Sequence, residues 1–139
     1  MNIIKLAYFI FCLFYSLISE SAEITDGFFK ALGQVESGQN PKAYNKNENA
    51  IGIYQIRKLY FIDAQNFAPE LKKYRHEDCF NEKISRKIVL AYLSKYCKNG
   101  SFEDFARCHN LGPNWKNKKH LIQKYWNRIK KKLDKLDKI

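Results

Sequence analysis

The chain reads Val35-Glu36-Ser37-Gly38-Gln39-Asn40-Pro41 at 35–41 and Ala50-Ile51-Gly52-Ile53-Tyr54-Gln55-Ile56 at 50–56. The first stretch places one acidic residue where an apolar helical pattern stops. Residues 42–52 are polar and rich in asparagine, which predicts a loop or a short hairpin. We therefore predict that a helix ends near Glu36 and that its carboxyl group faces whatever cleft the hairpin forms.

The helix before this junction is predicted from an apolar stripe. Phe28, Leu32 and Val35 follow the i, i+4, i+7 spacing of one helix face. Thr25 or Asp26 is the expected N-cap, and the glycine and proline of 35–41 end the pattern. Glu36 then lies on the last turn, where the helix dipole and apolar neighbours both disfavour its charged form. A glutamic acid with a raised pKa can serve as a general acid near neutral pH.

Most of the remaining chain also has helical periodicity. Helices are predicted around Tyr54–Gln65, over Glu82–Tyr96, from a Ser101 cap to about Asn110, and from about Lys119 onward. In the first of these, Leu59, Ile62, Asp63 and Asn66 keep helical spacing. The helix over Glu82–Tyr96 has the widest apolar face and is predicted to be central and most buried. The fold class is therefore mainly α, a helical bundle with a small β-hairpin lobe.

The first residues have the layout of a secretory signal. A basic start is followed by the apolar run Leu6–Ile18 and the small residues of Ser19–Ala22. We predict a signal peptide over 1–21, with cleavage after Ser21 or Ala22, and one domain over 22–139; an uncleaved anchor is the alternative. The expected location is extracellular, or a periplasmic or lysosome-like compartment.

The chain carries a net charge of +11, which removal of residues 1–21 leaves unchanged because it removes one lysine and one glutamate. Such a charge draws a secreted protein to polyanions, including bacterial walls, anionic membranes and nucleic acid. The sequence holds no nucleic-acid-binding motif, so no specific nucleic acid is expected. The C-terminal tail has too few apolar residues to predict membrane insertion after signal cleavage, and we expect a monomer.

Three cysteines remain after the signal, an odd number for an oxidising compartment. One disulfide among Cys79, Cys97 and Cys108 with one free thiol is the simplest arrangement. All three pairings stay open, although Cys79–Cys108 or Cys97–Cys108 needs less folding back than a bridge across the helix over Glu82–Tyr96. No Cys-x-x-Cys or His-Glu-x-x-His spacing is present, so we predict no metal site.

Two groups of motifs resemble the lysozyme superfamily. Glu36-Ser37-Gly38-x-Asn40-Pro41 with Ala50-x-Gly52-x-x-Gln55-Ile56 resembles the catalytic segment of soluble lytic transglycosylases and goose-type lysozymes. Four further segments resemble invertebrate-type lysozymes: 60–63, 91–96, Phe105–Pro113 apart from Leu111, and Tyr125–Asn127. This resemblance covers about residues 28–130 and implies a mainly helical lysozyme fold with a cleft beside the hairpin lobe.

The resemblance also implies an activity and a set of site residues. It implies a muramidase that hydrolyses the β-1,4 bonds between N-acetylmuramic acid and N-acetylglucosamine in peptidoglycan, with no cofactor and with Glu36 as the general acid. The residues expected to bind the glycan are Ser37, Gly52, Tyr54, Gln55, Ile56, His109, Asn110, Gly112 and Tyr125. Aromatic rings stack on sugar faces, and amides hydrogen-bond acetamido groups.

The second carboxylate departs from the pattern of the family. Invertebrate-type lysozymes have an aspartate before Gly-x-x-Gln-Ile, whereas this loop has asparagines and Glu48 as its only acid. Glu48 is the candidate nucleophile, base or electrostatic partner, and Asp63 is expected to form a structural hydrogen bond. Because transglycosylases use one glutamate, a lytic transglycosylase that releases 1,6-anhydro products is an alternative.

Two other functions compete with glycan cleavage. One is a non-catalytic basic protein that binds glycan or kills bacteria by its charge. The other is an isopeptidase that uses Cys108 and His109 as a catalytic pair. This alternative is disfavoured because adjacent residues on a helix point their side chains about 100° apart.

Overall fold

The computed structural model describes residues 23–138, which form a helical bundle with a small sheet. The α-helices are α1 (Asp26–Ser37), α2 (Lys58–Phe67), α3 (Glu82–Tyr96), α4 (Phe102–Leu111) and α5 (Gln123–Leu136). Three 3-10 helices cover Pro69–Lys73, His76–Phe80 and Trp115–Ile122. The predicted fold class, mainly α with a small β lobe, is confirmed.

The sheet consists of three short antiparallel strands in the order β1 (Tyr44–Asn45), β2 (Ala50–Ile51) and β3 (Ile56–Arg57). Tyr44 pairs with Ile51, and Ala50 pairs with Arg57. Because β3 runs directly into α2, the sheet carries Arg57 to the first turn of that helix. The predicted hairpin over 42–52 is therefore present and extended by one strand.

A larger fraction of α1 than of α3 is buried, although the wide apolar face of α3 predicted that α3 is the most buried helix. The stripe residues Phe28 and Leu32 are fully buried, and Val35 is nearly so. Six of the twelve α1 residues are buried, against five of the fifteen in α3. Position in the bundle decides this difference, because α1 lies against both α5 and the turn that holds Ile53 and Tyr54.

Two helices differ from their sequence patterns. In α2 the buried residues are Tyr60, Phe61 and Ala64, whereas Leu59 is 80% exposed. The last α-helix begins at Gln123, not near Lys119. The residues before it, Trp115–Ile122, form a 3-10 helix that buries Trp115. Arg107 Nη2 donates to Gln123 Oε1 at 2.7 Å where α5 begins.

The predicted disulfide is not formed. Within residues 23–138, Cys79, Cys97 and Cys108 are all buried free thiols. Cys79 lies behind the β lobe, where its carbonyl packs against Gly52. Cys97 and Cys108 are neighbouring thiols, and their interaction lowers the pKa of Cys97 and raises that of Cys108.

The predicted signal peptide over 1–21 lies outside the described residues. Among residues 23–138, none of the helices has the length and apolar character needed to cross a membrane.

Candidate active site

Glu36 lies on the last turn of α1, as the sequence predicted. Thr25 Oγ1 accepts a hydrogen bond from the Phe28 amide at 3.3 Å and starts the helix. Gly38 ends it in the left-handed conformation, with φ +64°. Because Phe28, Leu32 and Val35 fix which side of α1 faces the core, the neighbouring Glu36 emerges at the edge of that core. Its side chain is only 16% exposed.

Burial controls the protonation of Glu36. Loss of water around the carboxyl group raises its pKa above the ordinary value of 4.5. Three groups act in the opposite direction: the Tyr125 hydroxyl, which donates to Glu36 Oε1, and the Arg57 and Arg128 guanidinium groups. Burial is the largest effect, so the pKa of Glu36 stays raised. The carboxyl group therefore retains its proton to a higher pH than an exposed glutamate does.

His109 stands beside Glu36 as a neutral ring. Its Nε2 lies 3.8 Å from Glu36 Oε1 and 2.9 Å from the Tyr54 carbonyl oxygen. Complete burial lowers the pKa of His109 to about 4. Since a carbonyl oxygen only accepts, Nε2 carries the proton, and Nδ1 accepts from the Tyr60 hydroxyl at 3.0 Å. His109 thus links α4 to the β lobe and α2 without adding charge next to the acid.

Helix α5 packs across the end of α1 through two side chains. Tyr125 reaches Glu36, and Arg128 donates to the Val35 carbonyl oxygen at 3.1 Å. That carbonyl belongs to the last turn of α1, where carbonyl groups lack partners within the helix. Arg128 therefore both satisfies the end of α1 and places a positive charge near the carboxyl group.

The carboxyl group of Glu36 faces a small polar cavity of about 100 Å³. Its walls are Glu36, Glu48, Gln55, Arg57, Tyr60, His109 and Asn110. A larger neighbouring groove of about 480 Å³ shares three of these residues, Glu48, Arg57 and Tyr60, and includes Leu59, Gly112 and Pro113. Together they form one continuous cleft between the β lobe and helices α2 and α4. A chain-like ligand can therefore lie along the groove with one bond at Glu36.

Glu48 lies in this cleft on the exposed turn between β1 and β2. Asn45 Oδ1 accepts hydrogen bonds from the Asn47 and Glu48 amides at 3.1 and 3.4 Å, which shapes the turn. Glu48 acts on Glu36 through its negative charge, the smallest of the effects that change the pKa of Glu36. The structure thus brings both predicted carboxylates to one cavity, and the role of Glu48 stays a prediction.

The side chains of Tyr54 and Ile56 lie in the core, which corrects their assignment as glycan-binding residues, whereas the roles of Ser37 and Gly52 stay predictions. Tyr54 is 1% exposed and Ile56 fully buried, so neither side chain reaches a ligand. The Ser37 hydroxyl donates to the Ile53 carbonyl oxygen at 2.8 Å and ties α1 to the β lobe. Gly52 packs against the Cys79 carbonyl group. Ser37 and Gly52 thus help to hold the β lobe in place beside Glu36.

The other predicted residues lie in or beside the cleft. Gln55 and Asn110 line the central cavity and Gly112 the groove, whereas Tyr125 contacts Glu36. His109 lines the cavity, although its ring nitrogens already have protein partners. Asp63 accepts from Lys95 Nζ at 3.0 Å and from Tyr96, the structural role that the sequence predicted.

Arg57 and Tyr60 line the cavity, although the sequence patterns did not predict them there. Arg57 follows the Gln55-Ile56 motif directly, and this adjacency was the available signal. Tyr60 was not predicted as a site residue because an aromatic residue in a helical pattern usually belongs to the core.

The comparisons agree with this geometry. The family model described as Destabilase matches residues 25–132, which include every cleft residue named above. The chain belongs to the Destabilase family. It is also 31% identical over 108 residues to Lysozyme 1 of Crassostrea virginica, and that alignment covers 72% of this chain and 55% of the relative. The chain thus spans about half the length of this curated relative. The predicted membership of the lysozyme superfamily, with resemblance to the invertebrate type, is confirmed.

In this Destabilase-family chain, Tyr125→Phe should move the pH dependence of activity. The Tyr125 hydroxyl stabilises ionised Glu36, so its removal should raise the pKa of Glu36 further. If Glu36 acts in its protonated form, the alkaline limb of the pH profile of kcat/KM should shift to higher pH. Tyr74→Phe is the control, because Tyr74 lies away from the cleft. An unchanged or downward-shifted limb would contradict this account of Glu36.

Proposed function

We propose that this chain is a muramidase that hydrolyses the β-1,4 bonds between N-acetylmuramic acid and N-acetylglucosamine in peptidoglycan. The observation that carries the proposal is Glu36, a nearly buried carboxyl group with a raised pKa at the wall of a polar cleft. Family membership and the relative named Lysozyme 1 support the same activity. The chain acts without a cofactor in this proposal, and secretion as a monomer stays a prediction.

Glu36 supplies the proton in the proposed reaction. Its carboxyl group donates to the glycosidic oxygen while the bond from that oxygen to the anomeric carbon breaks, leaving an oxocarbenium-like sugar. Glu36 becomes a carboxylate in this step and regains its proton when a water molecule adds to the anomeric carbon to form the reducing end. The Tyr125 hydroxyl and the Arg128 charge stabilise that carboxylate as it forms, so they favour the transition state more than the ground state.

The walls of the cleft support binding of an acetamido sugar. Gln55 donates through Nε2 to the Gly52 carbonyl oxygen at 2.9 Å, which fixes its amide and leaves the oxygen as an acceptor. Asn110 supplies a second amide on the opposite element, α4. Leu59 and Pro113 add exposed apolar surface along the groove, suited to the flat faces of sugar rings.

Glu48 is proposed to contribute electrostatically and not as an essential nucleophile. Glycosidases of both stereochemical classes usually place two carboxyl groups around the scissile bond. Glu48 stands on an exposed turn, and its side chain makes no hydrogen bond or ion pair within residues 23–138, in contrast to Glu36. Such a group can stabilise positive charge on the sugar, but its position is weakly fixed.

Glu48→Gln should therefore lower turnover by less than about tenfold, because an exposed charge acts through a high dielectric. The measurement is the rate of muropeptide release from purified peptidoglycan, with Glu77→Gln, an exposed acid on a 3-10 helix, as the control. Loss of activity comparable to that of a Glu36 variant would instead make Glu48 a nucleophile or base.

Mass spectra of the same digests test the reaction type. Hydrolysis predicts products with ordinary reducing ends. Products lighter by one water, with 1,6-anhydro ends, would identify a lytic transglycosylase and overturn the hydrolase proposal. Wall binding or killing without any released muropeptide would favour the non-catalytic basic protein.

A further inference from the structure

Arg57 occupies the junction of the two parts of the cleft. It is the last residue of β3 and directly precedes α2, and its side chain lines both the central cavity and the neighbouring groove. It is also close enough to Glu36 to lower the pKa of that carboxyl group. A ligand that extends from the catalytic carboxyl group into the groove must therefore pass Arg57.

The guanidinium group of Arg57 is anchored but has free donors. Its Nη2 donates to the Asn110 carbonyl oxygen at 2.9 Å, which fixes the group against the end of α4. Arg57 forms no ion pair with a carboxylate among residues 23–138. Since guanidinium carries several N–H donors in a planar fork, the remaining ones are available to a carboxylate of a ligand.

The other charges of the groove leave this position positive. Asp63 is neutralised by the Lys95 ammonium group at 3.0 Å, and Lys58 adds a second cation beside Arg57. Glu48 is the remaining carboxylate of the groove wall, on the exposed turn of the β lobe. An anionic ligand group is therefore expected on the α2 and α4 side of the groove, at Arg57.

We propose that Arg57 determines specificity by binding a carboxylate of the muramyl substrate. This inference rests on the proposed cleavage of peptidoglycan. The carboxylate belongs to the lactyl group in peptide-free glycan and to the stem peptide where that lactyl group is amide-linked. Chitin, the polymer of N-acetylglucosamine alone, has neither group. Binding of the carboxylate at Arg57 therefore makes peptidoglycan a better substrate than chitin.

The experiment removes the charge from each partner in turn. Wild type and Arg57→Gln are given a peptide-free hexasaccharide of alternating N-acetylglucosamine and N-acetylmuramic acid, either as the free acid or as its methyl ester. We expect wild type to prefer the acid by about 10- to 100-fold in kcat/KM, mainly through KM, as a charge-assisted hydrogen bond predicts. Arg57→Gln should treat acid and ester alike, because the loss of its effect on the pKa of Glu36 falls equally on both substrates.

A parallel arm distinguishes the source of the carboxylate. It uses the same glycan bearing stem peptides, with their carboxyl groups either free or amidated. Preference for the acid in the peptide-free arm assigns the lactyl group, and preference only in this arm assigns the stem peptide. Arg57→Lys should retain part of either preference, because it keeps the charge without the planar fork. Lys72→Gln, an exposed charge loss outside the cleft, should retain all of it.

Equal losses on acid and ester in Arg57→Gln would overturn the assignment, because Arg57 would then act through Glu36 or the fold. No preference for the acid in wild type in either arm would overturn it as well. Failure of the proposed function looks different: wild type would cleave none of these substrates. Calorimetry measures the affinities for acid and ester in Glu36→Gln, with and without Arg57→Gln. These affinities give the carboxylate preference independently of turnover.

Discussion

Glu36→Gln should lower the rate of peptidoglycan cleavage by about 10²–10⁴-fold, the usual contribution of a general acid. Glutamine keeps the shape of the side chain and can still accept from Tyr125, but it has no acidic proton to give to the glycosidic oxygen. The measurement compares release of reducing ends from purified peptidoglycan by the variant and by wild type. Glu77→Gln controls for loss of one exposed negative charge. Release of reducing ends at a rate comparable to wild type would show that Glu36 is not the acid. Lysis of bacterial walls by the variant without such release would show that lysis is not enzymatic.

The same substitution should stabilise the fold at neutral pH. Because burial raises the pKa of Glu36, the folded state binds its proton more tightly than the unfolded state. The stability from this proton is fully present below the ordinary value of 4.5 and is lost as the pH rises through the folded-state pKa. Glutamine does not titrate, so its advantage in free energy of unfolding over wild type should grow between acid and neutral pH. A variant that is less stable at pH 7 than at pH 4, relative to wild type, would contradict a raised pKa.

Gly52→Ala should destabilise the protein by about 2–5 kcal/mol, a sum of left-handed strain and overpacking. Gly52 has φ +78°, and a Cβ atom there would lie 2.2 Å from the Cys79 carbonyl oxygen. Both contacting groups are backbone, so neither can move without displacing the β lobe or the 3-10 helix His76–Phe80. Urea unfolding measures the loss, which is a large part of a typical stability of about 5–15 kcal/mol. Cleavage activity should fall with it, because the turn at Gly52 positions Gln55.

Gly38→Ala is the matched control for that substitution. Gly38 also has a positive φ, +64°, but a Cβ atom there meets no atom within 4 Å. Only the backbone strain applies, so a loss of about 1–2 kcal/mol is expected. If the two alanine variants lose the same stability, the close approach of Gly52 to Cys79 does not constrain the β lobe.

Local patterns predicted the parts of this protein that depend on neighbours in sequence. The spacing of Phe28, Leu32 and Val35 predicted α1, and the breakers after Ser37 placed Glu36 on its last turn. The Ser101 cap with its capping box predicted the start of α4. Each of these depends on hydrogen bonds or burial within a few residues, which a sequence displays directly.

Patterns failed where the partners came from elsewhere in the chain. Helical spacing did not reveal that α2 buries Tyr60 and Phe61 and exposes Leu59, because the same periodicity fits more than one face. The cysteine count predicted a bridge, whereas the fold keeps Cys79 behind Gly52 and leaves Cys97 and Cys108 as buried free thiols. Motif positions such as Tyr54 and Ile56 looked like ligands but are buried supports.

The sequence by itself determined the family, the helical class and the position of the catalytic candidate, because these follow from motifs and from short-range periodicity. Only the tertiary structure decided the chemistry around Glu36. Tyr125 and Arg128 approach from α5, Arg57 from β3 and His109 from α4. Burial by these distant segments sets the pKa of Glu36, and the same segments form the walls that a glycan must contact. Desolvation and charge depend on distances in space, and no spacing along the chain encodes them.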